Sequence, residues 1–298
     1  MRASVFMAGE RFARLRRRIV EIEGRAEGGN GGSAALPFAI PRLDSMLAGG
    51  LRRDALHEIR CAESRDTAAM TGFAVAILAR LADVDDRPLL WIVESSAASE
   101  AGLPYGRGLS RFGLDSRRLI VVRVDKPGDA LWTFEEGLSC RGLAAVLTEI
   151  RGHARQLDLT ASRRLALRAG EHGVMGLLLR QSSSPAPGAA ATRWLIAPRP
   201  AAVTEDYPAG IGNPAWRLTL ERNRRGRTGT FDVEWDHDGR RFLDGRATLP
   251  AHSRPVAPHP LDRPSAPPEG GKIVARPALR TSELLPREVR RRHAAARG

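Results

Sequence analysis

His57-Glu58-Ile59-Arg60-Cys61-Ala62-Glu63-Ser64-Arg65-Asp66-Thr67-Ala68-Ala69-Met70 joins a short apolar run to a helical pattern, and the fold follows from how this junction is read. Upstream, Leu56–Ile59 has the length and composition of a strand; downstream, Thr67–Leu81 has helical periodicity. The alternation then repeats. Strands are expected at Leu89–Val93, Leu119–Arg123, Ala144–Thr148 and Gly176–Leu179, with helices at Gly106–Phe112, Asp129–Leu138 and Leu159–Glu171 between them. Parallel strands need helical crossovers, so this order specifies an α/β fold: a mostly parallel sheet with helices on both faces. Leu89-Leu90-Trp91-Ile92-Val93 is apolar without alternation, as a strand covered on both sides should be.

Beyond Pro185–Ala191 the pattern changes. Trp216, Leu218 and Leu220 alternate with Arg217, Thr219 and Glu221, and Phe231, Val233 and Trp235 alternate with Asp232 and Glu234. This predicts an antiparallel hairpin with one buried face. Its connection, Asn223-Arg224-Arg225-Gly226-Arg227-Thr228, carries three arginines, with Arg222 just before it. Projecting from the sheet, Arg222, Arg224, Arg225 and Arg227 would follow phosphates without reading bases, so sequence-independent DNA contact is expected there. A solvated turn is the plain alternative.

One α/β domain therefore covers about 35–246. In the segment before it, 1–34, Phe12, Leu15, Ile19 and Ile22 form an apolar stripe on a basic helix over Glu10–Arg25, followed by a glycine-rich linker. The stripe is expected to dock on a partner or on the protein's own core. The segment after it, 247–298, holds nine of the 20 prolines and is expected to be disordered. The whole chain has 298 residues, 42% of them apolar, enough for a sizeable core. No apolar stretch is long enough for a bilayer and no secretory signal is visible, so a cytoplasmic protein without membrane contact is expected. Two cysteines and seven scattered histidines offer no disulfide framework or metal-ligand spacing. The net charge of +13 rests almost wholly on arginine, since Lys126 and Lys272 are the only lysines. It points to acidic partners such as nucleic acid, or to codon usage alone.

In a sheet of this kind the first strand–helix junction is where phosphate is held. Glycines let backbone amides curl around the anion, a lysine reaches the terminal phosphates and a hydroxyl binds magnesium. From Arg60 to Thr71 there is neither glycine nor lysine, and Asp66 brings negative charge. Physically, this is a poor nucleotide cradle.

The same stretch resembles the RecA recombinase family. Leu43-Asp44-Ser45-Met46-Leu47-Ala48-Gly49-Gly50-Leu51, then Glu58-Ile59, is similar to the leucine–aspartate–leucine segment, double glycine and glutamate–isoleucine strand that precede the phosphate loop there. In register with that loop, Glu63 and Ser64 are kept, Cys61 and Asp66 replace glycines, Thr67 stands at the lysine and Ala68 at the magnesium-binding hydroxyl. Val124-Asp125-Lys126-Pro127-Gly128-Asp129-Ala130-Leu131, with Glu135-Glu136, resembles the segment before RecA's fourth strand. Thr148-Glu149 then falls at the metal-site position and Gln181 at the γ-phosphate sensor. Glu149 reads as a general base or as a capping or solvated carboxylate, and Gln181 as a sensor or a strand-end residue. A RecA-like core with a degenerate loop at Cys61, Glu63, Ser64, Asp66 and Thr67, a basic amino-terminal helix and an arginine-rich hairpin is identified as a member of the ImuA family. A SulA-type cell-division inhibitor is a weaker match.

Membership implies a protein of the inducible mutagenesis cassette, acting in translesion synthesis under the SOS response. Its implied partners are ImuB, a catalytically dead Y-family polymerase relative, an error-prone replicative polymerase paralogue, and RecA. No cofactor, catalytic set or metal is expected. Gly137-Leu138-Ser139-Cys140-Arg141 misses a nucleophile elbow at its fifth residue, and Gly106–Arg111 lacks the last glycine of a dinucleotide fingerprint. The expectation is a non-catalytic accessory factor; the alternative is a divergent RecA-like DNA-dependent ATPase in recombinational repair.

Overall fold

The computed structural model describes residues 35–151, 156–181, 185–201 and 212–245. The expected amino-terminal stripe of Phe12, Leu15, Ile19 and Ile22 and the proline-rich 247–298 stretch lie outside the described residues.

Eleven strands and six helices are described. The strands are β1 (Ala35–Leu36), β2 (Leu51–Arg52), β3 (Leu56–Arg60), β4 (Leu89–Glu94), β5 (Leu119–Val124), β6 (Ala145–Arg151), β7 (Met175–Gln181), β8 (Thr192–Arg199), β9 (Ala215–Asn223), β10 (Gly229–Asp236) and β11 (Arg241–Asp244). The helices are α1 (Pro41–Met46), α2 (Thr67–Ala82), α3 (Ser95–Ala101), α4 (Gly106–Arg111), α5 (Pro127–Ser139) and α6 (Leu159–His172). Nine strands form one sheet in the order β11-β10-β9-β8-β3-β7-β6-β4-β5. The neighbours from β8 to β5 are parallel, and β9, β10 and β11 add antiparallel at one edge. The expected architecture is present, with strand and helix ends within a few residues of those read from the sequence.

Each face of the sheet has its own core. On one, α2 is buried nearly all round, because Met70, Phe73, Ile77, Leu78 and Leu81 press on the sheet while small alanines let it approach. Phe73 lies within 6.2 Å of Phe38, Trp194, Trp216 and Phe242, ring centre to ring centre. On the other face α5 and α6 cover Leu56, Ile92, Val146 and Leu178 through Phe134, Leu138 and Leu165. The double glycine has a steric reason. Gly50 has φ +133°, and a Cβ there would stand 2.3 Å from the carbonyl oxygen of Leu36, so β1 can pair with β2 only past a glycine.

Two expectations need correction. β5 is an edge strand, so Ile120 and Val121 of its apolar run are exposed rather than covered on both faces. And β8 was not expected: Thr192–Arg199 runs parallel to β3 and antiparallel to β9, coupling the two halves of the sheet. Arg193 and Pro198 break its apolar pattern and hide it from a periodicity reading.

Candidate functional site

The carboxyl end of β3 is where the Cys61–Thr67 loop leaves the sheet. Cys61 is buried, and its amide donates to the carbonyl of Arg180 at 3.3 Å. Ser64–Asp66 then forms a single 3₁₀ turn that runs straight into α2. Among the described residues, none from Cys61 to Thr67 has positive φ, so the amides do not curl into a concave anion cradle. Thr67 is buried and turns its hydroxyl back to the Cys61 thiol at 3.8 Å. Glu63 is taken up by Arg65 at 3.0 Å in an exposed pair.

Beside this loop the ends of β4, β6 and β7 bring three polar side chains together. Trp91 Nε1 donates to Glu149 Oε1 at 2.8 Å, and Gln181 Nε2 donates to Glu149 Oε2 at 3.1 Å. Glu149 is therefore neither a cap nor a solvated carboxylate. It is buried, and burial pushes its pKa up against the pull of its two donors. Glu149 and Trp91 open onto a groove of about 520 Å³ whose other walls include Val75, Leu103, Tyr105 and Phe112.

The amino end of β3 is different. A cleft of about 820 Å³ is bounded by Arg52, Asp54 and His57 from β2–β3, Arg141 from the turn after α5, α6, and Arg224 and Arg225 of the hairpin turn. His57 is fully buried. Its Nε2 donates to the carbonyl of Arg52 and its Nδ1 accepts from Thr192 Oγ1, both at 2.8 Å, while Thr192 Oγ1 accepts from Trp194 Nε1. With Nε2 as donor the ring is neutral, and burial pushes the pKa of His57 down to about 4. Asp54 is held by Arg52 at 2.8 Å.

Between the two ends, Glu58 accepts from Arg180 at 3.2 Å and from Arg193 at 2.8 Å, with all three side chains buried. This cluster was not expected from the sequence. The signal was parity: a charge on one face of an otherwise apolar strand must find a partner inside.

The hairpin arginines do not project as a set. Arg222 folds back and donates to the carbonyl of Gly188, and burial lowers its pKa, helped by the charges of Arg224 and Arg193. The turn is tied down: Asn223 Nδ2 donates to the carbonyl of Met46 at 2.9 Å, and the Arg224 amide donates to that of Ala191 at 3.0 Å. Arg224, Arg225 and Arg227 remain exposed. Among the described residues no group of three His, Cys, Asp or Glu is placed to hold a metal, and no helix is long and apolar enough to cross a membrane.

Comparison with known proteins gives one relationship. Protein ImuA from two strains of Caulobacter vibrioides is 34% identical over 217 residues, an alignment that covers 68% of this chain and 84% of the relative. No family model matches the chain.

Proposed function

The chain belongs to the ImuA family, and from that premise we propose that it is a non-catalytic, RecA-like accessory factor of SOS-induced mutagenic translesion synthesis. It acts in the cytoplasm by bringing together an ImuB-like polymerase relative and an error-prone polymerase, with RecA as a further partner, through surfaces rather than chemistry. The observation that carries this reading is the Cys61–Thr67 loop. It has no lysine and no left-handed residue, and Thr67 spends its hydroxyl on Cys61. A phosphate-contacting lysine supplies electrostatic stabilisation worth about 3 kcal/mol of barrier or more, whereas the cation this loop does carry, Arg65, is paired with Glu63 at 3.0 Å.

A second reading, a divergent DNA-dependent ATPase, draws on one observation: Glu149 and Gln181 meet at the strand ends beside an open groove. The two readings separate in one assay. Phosphate release from ATP by the purified full chain, with and without single-stranded DNA, is expected at background. Turnover that vanishes in Glu149→Gln establishes the ATPase and ends the scaffold reading.

A further inference from the structure

We propose that the cleft at the amino end of β3 is a docking site for an acidic peptide segment of a protein partner, anchored by an apolar side chain. The proposal deepens the scaffold reading by giving one partner-binding surface its chemistry. It rests on that reading for its biological role, not for the binding itself.

The charge of the lining is one-sided. Arg141, Arg163 and Arg224 face the cleft from three separate segments. Of the two carboxylates in the lining, Asp54 is already held by Arg52 at 2.8 Å and also feels the charge of Arg225, which leaves Glu171. Cations gathered from distant parts of a chain repel one another unless an anion joins them. Burial is the main cause of the lowered pKa of the neighbouring Arg222, and the charge of Arg224 adds to it.

The floor selects the kind of anion. Leu47, Leu56, Ala166 and Leu167 line it, and Leu167 is 64% exposed although it is a large apolar side chain. Leu167 lies one helical turn from Arg163 on α6, so an apolar contact and a cation stand side by side. A nucleic-acid backbone uses cations but has no need of an aliphatic floor, and unstacked bases want aromatic platforms. No Phe, Tyr or Trp lines the cleft among the described residues. The volume of about 820 Å³ is within the range of built ligand sites. The protein's own flanking segments are the wrong sign. Residues 1–34 carry seven arginines against four glutamates, and residues 247–298 carry ten basic against four acidic residues. A partner in trans with carboxylates and a leucine-like anchor is what remains.

The test is fluorescence anisotropy on the full chain with labelled probes: a short synthetic peptide alternating Glu and Leu, the same peptide with Ser for Leu, and single- and double-stranded oligonucleotides. The Glu–Leu peptide is expected to bind, with affinity falling as salt rises. Arg163→Glu with Arg224→Glu is expected to weaken it about tenfold, since two favourable exposed pairs become repulsions. The doubly reversed protein should instead prefer a Lys–Leu peptide. Leu167→Ser, an exposed change, should weaken the Glu–Leu peptide and leave the melting curve unchanged. Three outcomes overturn the proposal: equal binding of the Glu–Ser peptide, binding of no probe, or oligonucleotide binding through the same arginines with no peptide binding. The last would make the cleft a nucleic-acid site. ATP turnover in the same preparation would end the scaffold reading and leave the peptide result standing, so the two failures are distinguishable.

Discussion

The two ends of β3 solve opposite problems. At the carboxyl end, where a nucleotide-binding α/β protein concentrates positive charge and backbone amides, this chain has a loop closed on itself, a mainly apolar groove and the buried carboxyl group of Glu149. At the amino end, which in such sheets is ordinarily a structural edge, it gathers arginines around a larger cleft. Cationic lining is concentrated at one end of this strand, and a buried carboxyl group lies beside the other. A fold therefore says where a site can be built, and the side chains say whether it was.

The contrast depends on β3 being held rigidly between the two ends, and the Glu58 cluster does this. Glu58→Gln leaves the two buried guanidinium groups of Arg180 and Arg193 facing an amide. Removing one partner of a buried ionic cluster costs about 3–5 kcal/mol, the largest effect expected of any single change here. Chemical denaturation followed by circular dichroism measures it. A loss below about 1 kcal/mol, the worth of an exposed pair, would mean that the cluster is hydrated and the ends are not coupled through it.

The next effect separates the ends by pH. His57 is neutral when folded, with its pKa near 4 against 6.5 when exposed. The unfolded chain therefore binds the proton first as pH falls. The resulting stability is fully present above about pH 6.5 and is lost as pH drops towards 4. From the 1.36 kcal/mol of each unit, it amounts to about 3 kcal/mol. Melting curves from pH 7 to pH 4 should show the fall. His57→Gln should start less stable at pH 7, having lost part of the Arg52–Thr192 bridge, and lose less on acidification. An unchanged pH slope in that variant would place the acid sensitivity elsewhere.

The fold was legible and the amino-end cleft was not, for a physical reason. Strand–helix alternation is a local pattern: the β3–α2 junction, the apolar β4 and the Trp216–Trp235 hairpin can each be read within a window of about ten residues. That the Cys61–Thr67 loop lacks lysine and glycine is legible too, because these are facts of composition. The cleft draws on residues from 47 to 225 in several separate pieces, so no window contains it. Arg222 shows the limit most plainly. Its place beside three other arginines suggested a projecting cation, yet a one-residue irregularity in the β8–β9 register at Arg193/Trp194 accompanies its turn inward, to Gly188. Glu149 shows the converse: of the general base, cap and solvated carboxylate its position allowed, burial between Trp91 and Gln181 removes the last two.

Glu149 also gives the smallest expected effect and the one that bears most directly on the carboxyl end. Burial raises its pKa when folded, against the lowering by Trp91 and Gln181. The sign is thus opposite to that of His57. A group whose pKa is raised on folding contributes stability below its unfolded pKa and loses it as pH rises through the folded value. At pH 8 the ionised carboxylate is a burden on the fold, and at pH 4 the protonated acid is not. Glu149→Gln mimics the protonated form: its carbonyl accepts from Trp91, and its amide donates to the Gln181 oxygen once that side-chain amide rotates. The variant should therefore melt at or above the parent temperature at pH 8, with the gain shrinking as pH falls towards 4. The reverse, a variant clearly less stable at pH 8, would mean that the site favours the carboxylate ion over its neutral form. A favoured carboxylate at a strand end is what a water-activating base needs. In that case the carboxyl end would keep a working charge, the contrast between the two ends of β3 would collapse, and the ATPase reading would gain what the loop denies it.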